Sequence, residues 1–479
     1  MSSELTRPLR LHRLPMPLMR WGLGLGVAAL GLAALFLVKE FHIALGFLAL
    51  AVLFASVKTQ VRLMLLVALL PLAHAGIGIQ SFGGFGLYDI YAGLFLLFFL
   101  WRIVVRDLMM IGRFPVLHLT IPMLLFFLPS LLSTSAMSES LKALLQFVAS
   151  ALTAAGVYYL LREENDDALY KRLLTLLVLV ATAVSMYGIY EASTTSLVRI
   201  LTGRVYFSLF EDVNYYASYL LMALALSGGL ALASKTLAAR LTFAGSTAIL
   251  TVTVVATVSR SALAVLAVLV VAFAAFMFLS QQGAKRFVGF AILLGFVGAL
   301  GVVLTTDMGS KLVDLFTLSR RVESVVGGKD ASIGQRLTIL GVTQRMIQEN
   351  PVIGVGFGAF EKTFDTYQEG DLSTGLGRSA HNTALRIIAE TGVVGFVPSL
   401  IFIGALLFYL TRALLRVQVG SDQVLMFALL SSLCSFLLMS LTLDQLFEPH
   451  FWVGCGIAVA FAQRNVEQGS SQVNASRQT

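Results

Sequence analysis

The sequence predicts an all-α protein that crosses a membrane many times, because its composition is apolar and its apolar runs are long. Of the 479 residues, 57% are apolar and 13% are charged, and the mean hydropathy is +0.86. A soluble domain contains about 25% charged residues. Apolar runs of about eighteen residues or more recur along the chain, and each is long enough to cross a bilayer as a helix. We therefore expect one membrane domain with one large extramembrane insertion.

Fourteen apolar segments are predicted to be spans. In chain order they are 21–38, 41–57, 62–79, 86–105, 114–133, 143–161, 173–190, 214–233, 241–258, 261–280, 287–305, 392–411, 423–443 and 450–463. The first follows four arginines and is too long for a usual signal-peptide core, so it is predicted to be a retained helix. Two of the segments, 41–57 and 450–463, are short and can also be re-entrant or interfacial. The expected range is therefore twelve to fourteen transmembrane helices.

The distribution of lysine and arginine predicts the orientation of these spans. With the N-terminus inside, twenty basic residues fall in the inner loops and the two tails, whereas five fall in the short outer loops. Membrane proteins carry their excess of lysine and arginine in inner loops. Both termini are therefore predicted to be cytoplasmic. The net charge of +8 belongs to this topology signal and does not indicate a nucleic-acid partner.

One long segment between spans completes the domain organisation. Residues 306–391 form a loop that is too long for the charge rule to apply, and the order of the spans places it on the outer face. The predicted organisation is a cytoplasmic N-terminal tail (1–20), transmembrane helices (21–305), this large outer loop (306–391), C-terminal transmembrane helices (392–463) and a cytoplasmic tail (464–479).

The large outer loop contains a predicted helix followed by a glycine-rich stretch. The segment "DASIGQRLTILGVTQRMIQENP" (330–351) predicts a helix that stops at Asn350. Its apolar face is predicted to contain Ile333, Leu337, Leu340 and Ile347. The following "PVIGVGFGAF" carries three alternating glycines, which permit tight turns or a close approach to a ligand. A turn that returns the chain to the membrane and a ligand-binding loop both fit this pattern.

A histidine precedes the next predicted helix, in "SAHNTALRIIAETG" (379–392). The apolar spacing predicts a short helix from about Asn382 to Gly392, so His381 is expected at its N-terminus. The helix dipole disfavours a positive imidazolium at that end. A neutral imidazole there is a competent general base, although capping the helix or lying in the headgroup layer are simpler roles for it.

Two arginines stand out on the same predicted face of the membrane. Arg260 lies at the tight corner "SRS" between two very apolar helices. A positive charge is costly there unless it meets an anion or reaches the headgroups. Arg336 lies in the predicted helix of the large outer loop.

Acidic and amide side chains also mark outer helix ends. They are Asp212 and Asn214 at the mouth of one span, and Asp444 with Glu448 and His450 at the end of another. Ordinary decoration of the membrane interface is the simpler interpretation of the acidic groups. The alternative is that they form one site with His381, because all of them are predicted to lie on the same face of the membrane.

No metal or nucleotide motif occurs in the sequence. The six histidines are scattered without the spacing of a zinc site, and no Walker-type glycine loop is present. No metal and no cofactor are therefore predicted. If the substrate carries phosphate, arginine side chains are expected to bind it.

These motifs resemble the O-antigen ligase/polymerase superfamily, whose members are membrane glycosyltransferases of bacterial envelopes with a GT-C type of helical fold. The motifs that carry the resemblance are "DVNYYASYLL" (212–221), "TVSRSAL" (257–263), "GQRLTILGVTQRMIQENPVIGVGFGAF" (334–360) and "HNTALRIIAETGVVGF" (381–396). They occur in the family's order, and the outer-loop block is the most specific. The resemblance covers residues 207–396 and is loose before them.

The resemblance implies an activity, a location and partners. The activity is metal-independent transfer of a glycan from undecaprenyl diphosphate, outside the bacterial inner membrane. The large outer loop would then be periplasmic. The implied partners are the undecaprenyl-diphosphate-linked glycan donor, a glycan or lipid A core acceptor and the lipid bilayer. Flippase and chain-length regulator proteins are further candidate partners.

The resemblance also implies roles for individual residues. Arg260 and Arg336 match the family arginines that bind the lipid diphosphate, and His381 matches the histidine that activates the acceptor hydroxyl. Asp444 is the candidate for an acidic residue that family ligases have near their last helices. The candidate supporting residues are Asn382, Asp212, Asn214 and Asp444.

The chemistry of a sugar–diphosphate bond agrees with these roles. Negative charge develops on the departing phosphate, and two guanidinium groups stabilise it. The acceptor hydroxyl must lose a proton as it attacks the anomeric carbon, which requires a base. Attack opposite the leaving group would invert the anomeric centre.

Three functions remain open from the sequence. A polymerase joins glycan to glycan, whereas a ligase joins glycan to lipid A core or protein; the long outer loop and the size of the chain favour a polymerase of O-antigen or exopolysaccharide. A lipid-linked glycan transporter or flippase is the non-enzymatic alternative. Transporters usually carry ionisable residues near the bilayer midplane or broken helices in inverted repeats, and neither pattern is visible here.

The predicted orientation can be tested by cysteine labelling. A cysteine introduced at Ser373, in the large outer loop, should react with a membrane-impermeant thiol reagent added from the periplasmic side. A cysteine at Gly283, in a predicted inner loop, should not react, because the positive-inside rule places that loop in the cytoplasm. The reverse labelling pattern would contradict the orientation.

Overall fold

The computed structural model consists of helices joined by short connections. It describes residues 56–74, 86–106, 114–195, 212–257, 259–280, 331–368 and 379–476, with isolated positions at 54, 209–210 and between 286 and 298. The helices in these ranges are α1 (Thr59–Leu69), α2 (Leu87–Arg106), α3 (Thr120–Phe127), α4 (Met137–Glu164), α5 (Asp167–Thr195), α6 (Val213–Ala233), α7 (Leu237–Ala256), α8 (Arg260–Ser280), α9 (Ala331–Glu349), α10 (Phe360–Tyr367), α11 (Thr383–Arg416), α12 (Ser421–Met439) and α13 (Pro449–Ser476). No β-strand occurs in the described ranges, and the predicted all-α fold is confirmed.

The chain divides into two compact units, residues 1–65 and residues 66–479. Helix α1 begins in the first unit and ends in the second, and every later helix belongs to the second. In the first unit, Arg62 Nε donates a hydrogen bond to the carbonyl oxygen of Phe54 at 2.9 Å. All the residues predicted for the site belong to the second unit.

Eight helices of the described ranges are long and apolar enough to cross a membrane. They are α2, α4, α5, α6, α7, α8, α11 and α12. Each coincides with a predicted span, so the polytopic membrane fold is confirmed. Predicted spans 21–38, 41–57 and 287–305 lie largely outside the described residues.

Two predicted spans are shorter or broken in the structure. Within segment 62–79, α1 is followed by a short 3-10 turn, Leu70–His74, and the remaining residues lie outside the description. Segment 114–133 consists of α3 between two 3-10 turns. Helix α3 ends just before Pro129, because proline has no backbone N–H and its ring clashes with the preceding helical turn. An apolar run therefore did not guarantee one continuous helix.

The predicted span 450–463 belongs to a longer helix, α13, which is buried in the bundle. Helix α13 packs against α4, α11 and α12, and residues 451–462 are all buried. It is not among the helices apolar enough to be assigned as candidate spans. Because protein rather than lipid surrounds this helix, it does not need a long apolar surface of its own.

Helix α6 lies at the centre of the bundle. Nearly every side chain from Tyr216 to Leu230 is buried, and α6 packs against α5, α7, α8 and α12. A helix that is apolar on every face is enclosed by other helices or by lipid. The start of α6 is therefore held among the ends of its neighbours, which is where the predicted site residues Asp212 and Asn214 lie.

The described part of the large outer loop has an apolar core of its own. The buried residues of this core are Ile339, Val342, Met346, Val355, Phe360, Phe364, Ala380 and Ala389. They come from α9, the glycine-rich stretch, α10 and the start of α11. The segment that carries His381 is thus attached to a small folded body outside the spans.

Helix α9 confirms the helix predicted within 330–351 and its end near Asn350. Of the predicted apolar face, Ile347 packs against the core, but Leu340 does not. Leu340 is 46% exposed, whereas Ile339 is 4% exposed. Two adjacent apolar stripes run along this helix, and packing against α10 and α11 selects the stripe that contains Val342 and Met346. The sequence pattern alone could not choose between the stripes.

The glycine-rich stretch docks onto the first part of α11. The backbone N–H groups of Val355 and Gly356 donate hydrogen bonds to the carbonyl oxygens of Ala389 and Glu390, at 3.0 and 2.9 Å. These bonds leave no room for a ligand between the two segments. Of the two interpretations of the alternating glycines, the turn is the one that agrees with the structure: the stretch turns and packs closely against the protein itself.

Two glycines permit this docking. Gly354 has φ +70°, and a Cβ there would lie 2.3 Å from the carbonyl carbon of Glu390. Gly392 has φ +60° and ψ −166°, and a Cβ there would lie 2.2 Å from the carbonyl carbon of Val352. The conformation of Gly392 interrupts α11, so the predicted short helix up to Gly392 is confirmed. The chain then continues directly into the span.

Replacing Gly392 with alanine should destabilise the protein by about 2 kcal/mol or more, because the backbone conformation is one that only glycine adopts readily. The midpoint of thermal unfolding in detergent measures the effect. Gly404→Ala in the same helix is the matched control, because a Cβ there meets no atom within 4 Å. Equal midpoints for the two variants would contradict the close docking of the glycine-rich stretch.

Candidate active site

His381 lies immediately before the first turn of α11. Asn382 is the N-cap residue: its Oδ1 accepts a hydrogen bond from the backbone N–H of Leu385 at 3.0 Å, and its Nδ2 donates to the carbonyl oxygen of Leu441 at 2.9 Å. The capping role that the sequence left open for His381 is therefore filled by Asn382. His381 itself has φ +48°, a left-handed conformation that a non-glycine residue keeps only when its surroundings enforce it.

The start of α11 is fastened to the segment that follows α12. The backbone N–H of Thr383 donates to the carbonyl oxygen of Ser440, and its hydroxyl donates to the carbonyl oxygen of Leu443, both at 2.9 Å. The same hydroxyl accepts from the backbone N–H of Gln445 at 2.9 Å. The position of His381 is thus set by two segments that are about sixty residues apart in the chain.

Asp444 is a buried anchor beside His381. Its carboxylate forms an ion pair with Arg386, and Arg386 Nε also donates to Glu390 Oε1 at 2.9 Å. Ser379 Oγ donates to Asp444 Oδ2 at 3.3 Å and accepts the backbone N–H of His381 at 3.4 Å. The Asp444 side chain is 3% exposed, so its contacts are with protein groups rather than with solvent.

The imidazole of His381 is half-buried among charged side chains. Burial lowers the pKa of His381 from its usual value of 6.5, and the positive charge of Arg336 lowers it further. The carboxylates of Asp212 and Asp444 act in the opposite direction and raise the pKa, but the net direction is downward. The ring is therefore neutral at neutral pH, the form in which a histidine accepts a proton.

The start of α6 connects two other parts of the site. Asp212 caps α6, and its Oδ1 accepts the backbone N–H of Asn214 at 2.6 Å. Asn214 Oδ1 accepts a hydrogen bond from Ser259 Oγ at 2.7 Å, which ties α6 to the corner before α8. Tyr215 Oη donates to the backbone carbonyl of Asp444 at 2.5 Å, which ties α6 to the segment after α12.

The two predicted arginines, Arg260 and Arg336, lie on two different helices near His381 and the start of α6. Arg260 is the first residue of α8 and directly follows Ser259. Arg336 is an exposed residue of α9, which packs against α11. The structure therefore gathers all the predicted site residues at one end of the bundle. They are Asp212, Asn214, Arg260, Arg336, His381, Asn382 and Asp444.

Four residues that shape this site were not predicted from the sequence. They are Tyr215, Ser379, Arg386 and Glu390. A signal was present for two of them, because Arg386 and Glu390 are opposite charges four residues apart at the start of an otherwise apolar helix. Opposite charges at that spacing pair on one face of a helix. Charged residues close to a membrane span are costly to bury, so such a pair indicates a functional role. The roles of Tyr215 and Ser379 depend on contacts across the bundle and had no local signal.

Glu448 and His450 lie next to each other where α13 begins. His450 Nδ1 lies 3.5 Å from Glu448 Oε2. The His450 ring stands edge-on to Tyr219 and Phe436, with ring centres 5.7 and 5.4 Å away. These two residues therefore pack the start of α13 against α6 and α12.

A cavity of about 430 Å³ lies at the opposite end of the bundle and is separate from the site. It is lined by Tyr158, Arg162 and Glu467, among others, and Arg162 forms an ion pair with Glu467. These residues lie near the end of α4, whereas the start of α4 faces the glycine-rich stretch. The 28 residues of α4 thus separate the cavity from His381.

The fold and the site together define a class of protein: a polytopic membrane protein with a histidine and two arginines at the ends of its helices. Residues 245–400 match the family model described as O-antigen ligase. This match contains three of the four motifs that carry the resemblance, and it supports the membership of the chain in the O-antigen ligase/polymerase superfamily. A comparison with curated proteins gives no match.

The matched segment contains part of the site. It runs from within α7 to within α11 and contains Arg260, Arg336 and His381, whereas Asp212 and Asp444 lie outside it. Members of this family are glycosyltransferase-like enzymes that use lipid-linked glycans at a bilayer. The structure therefore adds groups from α6 and from the end of α12 to the residues of the family segment.

Proposed function

We propose that this protein is a membrane glycosyltransferase that transfers a glycan from undecaprenyl diphosphate to a sugar hydroxyl of an acceptor, at the periplasmic face. One observation carries the proposal: the neutral, half-buried imidazole of His381 lies within electrostatic range of the exposed guanidinium of Arg336. A base beside a cation that can bind phosphate suits the attack of a hydroxyl on a sugar diphosphate. The family match supports the same class of reaction.

His381 is the general base in this proposal. The imidazole takes the proton of the acceptor hydroxyl while the hydroxyl oxygen forms a bond to the anomeric carbon of the donor sugar. The bond between that carbon and the diphosphate oxygen breaks, and its electron pair leaves with the lipid diphosphate. Attack opposite the leaving group inverts the anomeric centre. The lowered pKa keeps His381 ready for this step at neutral pH.

Arg260 and Arg336 bind the diphosphate in this proposal. A guanidinium group offers paired N–H donors that match phosphate oxygens, and its charge stabilises the leaving group as the bond breaks. Helices α6, α8 and α11 all begin at the site, and helix N-termini favour anions. In the described part of the chain, no three His, Cys, Asp or Glu residues are grouped to hold a metal ion. The positive charge of the two arginines and of the helix N-termini supports a metal-independent reaction, because it can balance the charge of the diphosphate.

The remaining polar residues support the base and the arginines. Asn382 caps α11 beneath His381, and Asn214 holds the corner that carries Arg260. Asp212 caps α6 and faces His381. Asp444 anchors the segment before α11. None of these four needs to contact the reacting atoms for the reaction to proceed.

The site location agrees with a lipid-linked donor. A diphosphate linked to a polyprenyl chain lies at the headgroup layer, and the site lies at the ends of the candidate spans rather than within them. We assign the protein to the bacterial inner membrane with cytoplasmic termini, on the strength of the charge asymmetry in the loops. Flippase and chain-length regulator proteins are the expected partners in supplying donor and setting polymer length.

A transporter is disfavoured by the positions of the charges. Transport sites lie near the bilayer midplane, at broken helices. Here the charged groups around His381 lie at helix ends, and the interruption of α11 at Gly392 is filled by the glycine-rich stretch of the same chain.

Among the enzymatic functions, we favour a polymerase that joins glycan to glycan. The described part of the outer loop has an apolar core of its own, and we propose that this part of the chain recognises a polymeric acceptor. The ligase that joins glycan to lipid A core or protein is the alternative. Both reactions use the same base and the same diphosphate clamp, so the choice depends on acceptor recognition.

A strain that lacks the protein distinguishes these two functions. Loss of a polymerase should leave single repeat units in place of long chains, because each repeat must be joined at this site. The lipid-linked and surface glycans are separated by size on a gel. Long polymer that accumulates without being attached to its acceptor would instead identify a ligase.

The division of labour can be tested with purified protein, polyprenyl-diphosphate glycan and acceptor. His381→Asn and His381→Ala should lower the single-turnover rate by roughly 10²-fold or more while donor affinity stays nearly unchanged, since they remove the base. Asparagine tolerates the left-handed conformation, so it separates the lost base from backbone strain. Arg260→Lys and Arg336→Lys should weaken donor binding or transition-state stabilisation, because lysine lacks the guanidinium fork.

Arg412→Lys is the matched control for the arginine variants, since Arg412 is exposed at the far end of α11. It should leave both donor affinity and turnover unchanged. Turnover close to the parent value in His381→Asn would remove the base from this position. An absolute requirement for added magnesium or manganese would contradict the arginine clamp.

A further inference from the structure

We propose that Arg386 is a positioning residue: it bridges Asp444 and Glu390, and it thereby couples the segment that presents His381 to the glycine-rich stretch of the outer loop. The inference rests on the proposed role of His381 as the base. It assigns a function to a buried ion-pair cluster that neither the motifs nor the proposed reaction explains.

The three charged side chains of this cluster, Arg386, Glu390 and Asp444, are largely buried. The side chains of Glu390 and Asp444 are 1% and 3% exposed, and both are bound by the single guanidinium of Arg386. A buried carboxylate without a partner is strongly unfavourable, so breaking such a pair costs several times more than breaking a surface pair. The two carboxylates are therefore held at fixed positions relative to Arg386.

The hydroxyl of Ser379 links Asp444 to the backbone of His381. An ionised carboxylate can only accept hydrogen bonds, so the Ser379 hydroxyl must point its proton at Asp444. The lone pair of the same hydroxyl is then directed at the backbone N–H of His381, 3.4 Å away. This contact bears on a residue whose φ is +48°, a conformation that external contacts must maintain.

The carboxylate of Glu390 binds the backbone of the outer loop through two hydrogen bonds. Glu390 Oε2 accepts the backbone N–H of Gly358 at 2.8 Å, and Glu390 Oε1 accepts that of Phe360 at 3.2 Å. These two donors lie where the glycine-rich stretch passes into α10. The carboxylate thus holds the outer loop on one side and Arg386 on the other.

The geometry explains the choice of arginine at this position. The Nε and Nη1 atoms of one guanidinium reach two different carboxylates at once. A lysine ammonium carries the same charge on a single nitrogen and cannot reproduce this two-directional contact. Arg386 is itself mostly buried and is already bound on both sides, so its effect on the reaction passes through His381.

The test compares Arg386→Met in two backgrounds, using the reconstituted single-turnover assay. In the parent protein this variant should lower turnover by about tenfold to a hundredfold, because a base displaced by about 1 Å loses that much rate. Donor affinity should stay within about twofold, since Arg386 does not bind donor. In the His381→Asn background the same change should cause no further loss, because the group that Arg386 positions is already gone.

The controls separate this inference from folding and from the proposed function. Arg412→Met, at the far end of the same helix, should have no effect in either background. If Arg386→Met does not fold, Arg386→Lys and Ser379→Ala decide the question: each should slow turnover in the parent and neither should slow it in His381→Asn. Equal losses in both backgrounds, or a large loss of donor affinity, would overturn the positioning role. Failure of the proposed base is visible independently, as full turnover in His381→Asn alone.

Discussion

Three charges are buried where the large outer loop meets the helical bundle, and the geometry of the site depends on them. The guanidinium of Arg386 lies between the carboxylates of Glu390 and Asp444. Each carboxylate also accepts hydrogen bonds, from backbone N–H groups at Glu390 and from a serine hydroxyl at Asp444. Removing any partner would leave charge in a poorly solvated place, where it costs several kcal/mol. The loop, the start of α11 and the end of α12 are therefore fixed relative to one another.

Two unusual backbone conformations bound the first part of α11 and act together with this cluster. His381 has φ +48° just before the helix, and Gly392 interrupts it with φ +60°. Between them lie about two and a half turns of helix, which fall within the predicted outer loop (306–391). The docked glycine-rich stretch fills the interruption, and its carbonyl oxygens at Pro351 and Val352 accept hydrogen bonds from the backbone N–H groups of Val393 and Val394. This short helix presents His381 above the bundle while remaining continuous with it.

The proposed reaction depends on the location of the charged groups at the ends of the helices and in the outer loop. Lipid excludes charge from the spans, so charged groups gather at helix ends and in the outer loop. A donor whose diphosphate lies at the headgroup layer and whose glycan extends outward meets the protein at that level. The half-buried histidine supplies a neutral base, and the arginines supply positive charge without a change of protonation. Acceptor choice would then reside in the outer loop, whose apolar core includes residues of α9, α10 and the start of α11.

The sequence by itself determined the all-α membrane fold, the eight predicted spans that coincide with candidate spans of the described ranges, the helix before Asn350 and the short helix before Gly392. Apolar periodicity and stop signals are local properties, and this is why they could be predicted. It also singled out His381, Arg260 and Arg336 through the resemblance, although local signals alone left His381 a possible cap. Only the tertiary structure decided that Asn382 is the cap, that the glycines serve docking, and that Ile339 rather than Leu340 is buried. The contacts of Tyr215, Ser379 and Arg386 with Asp444 join residues tens to hundreds of positions apart. Such contacts arise from the packing of distant helix ends, which no local pattern encodes.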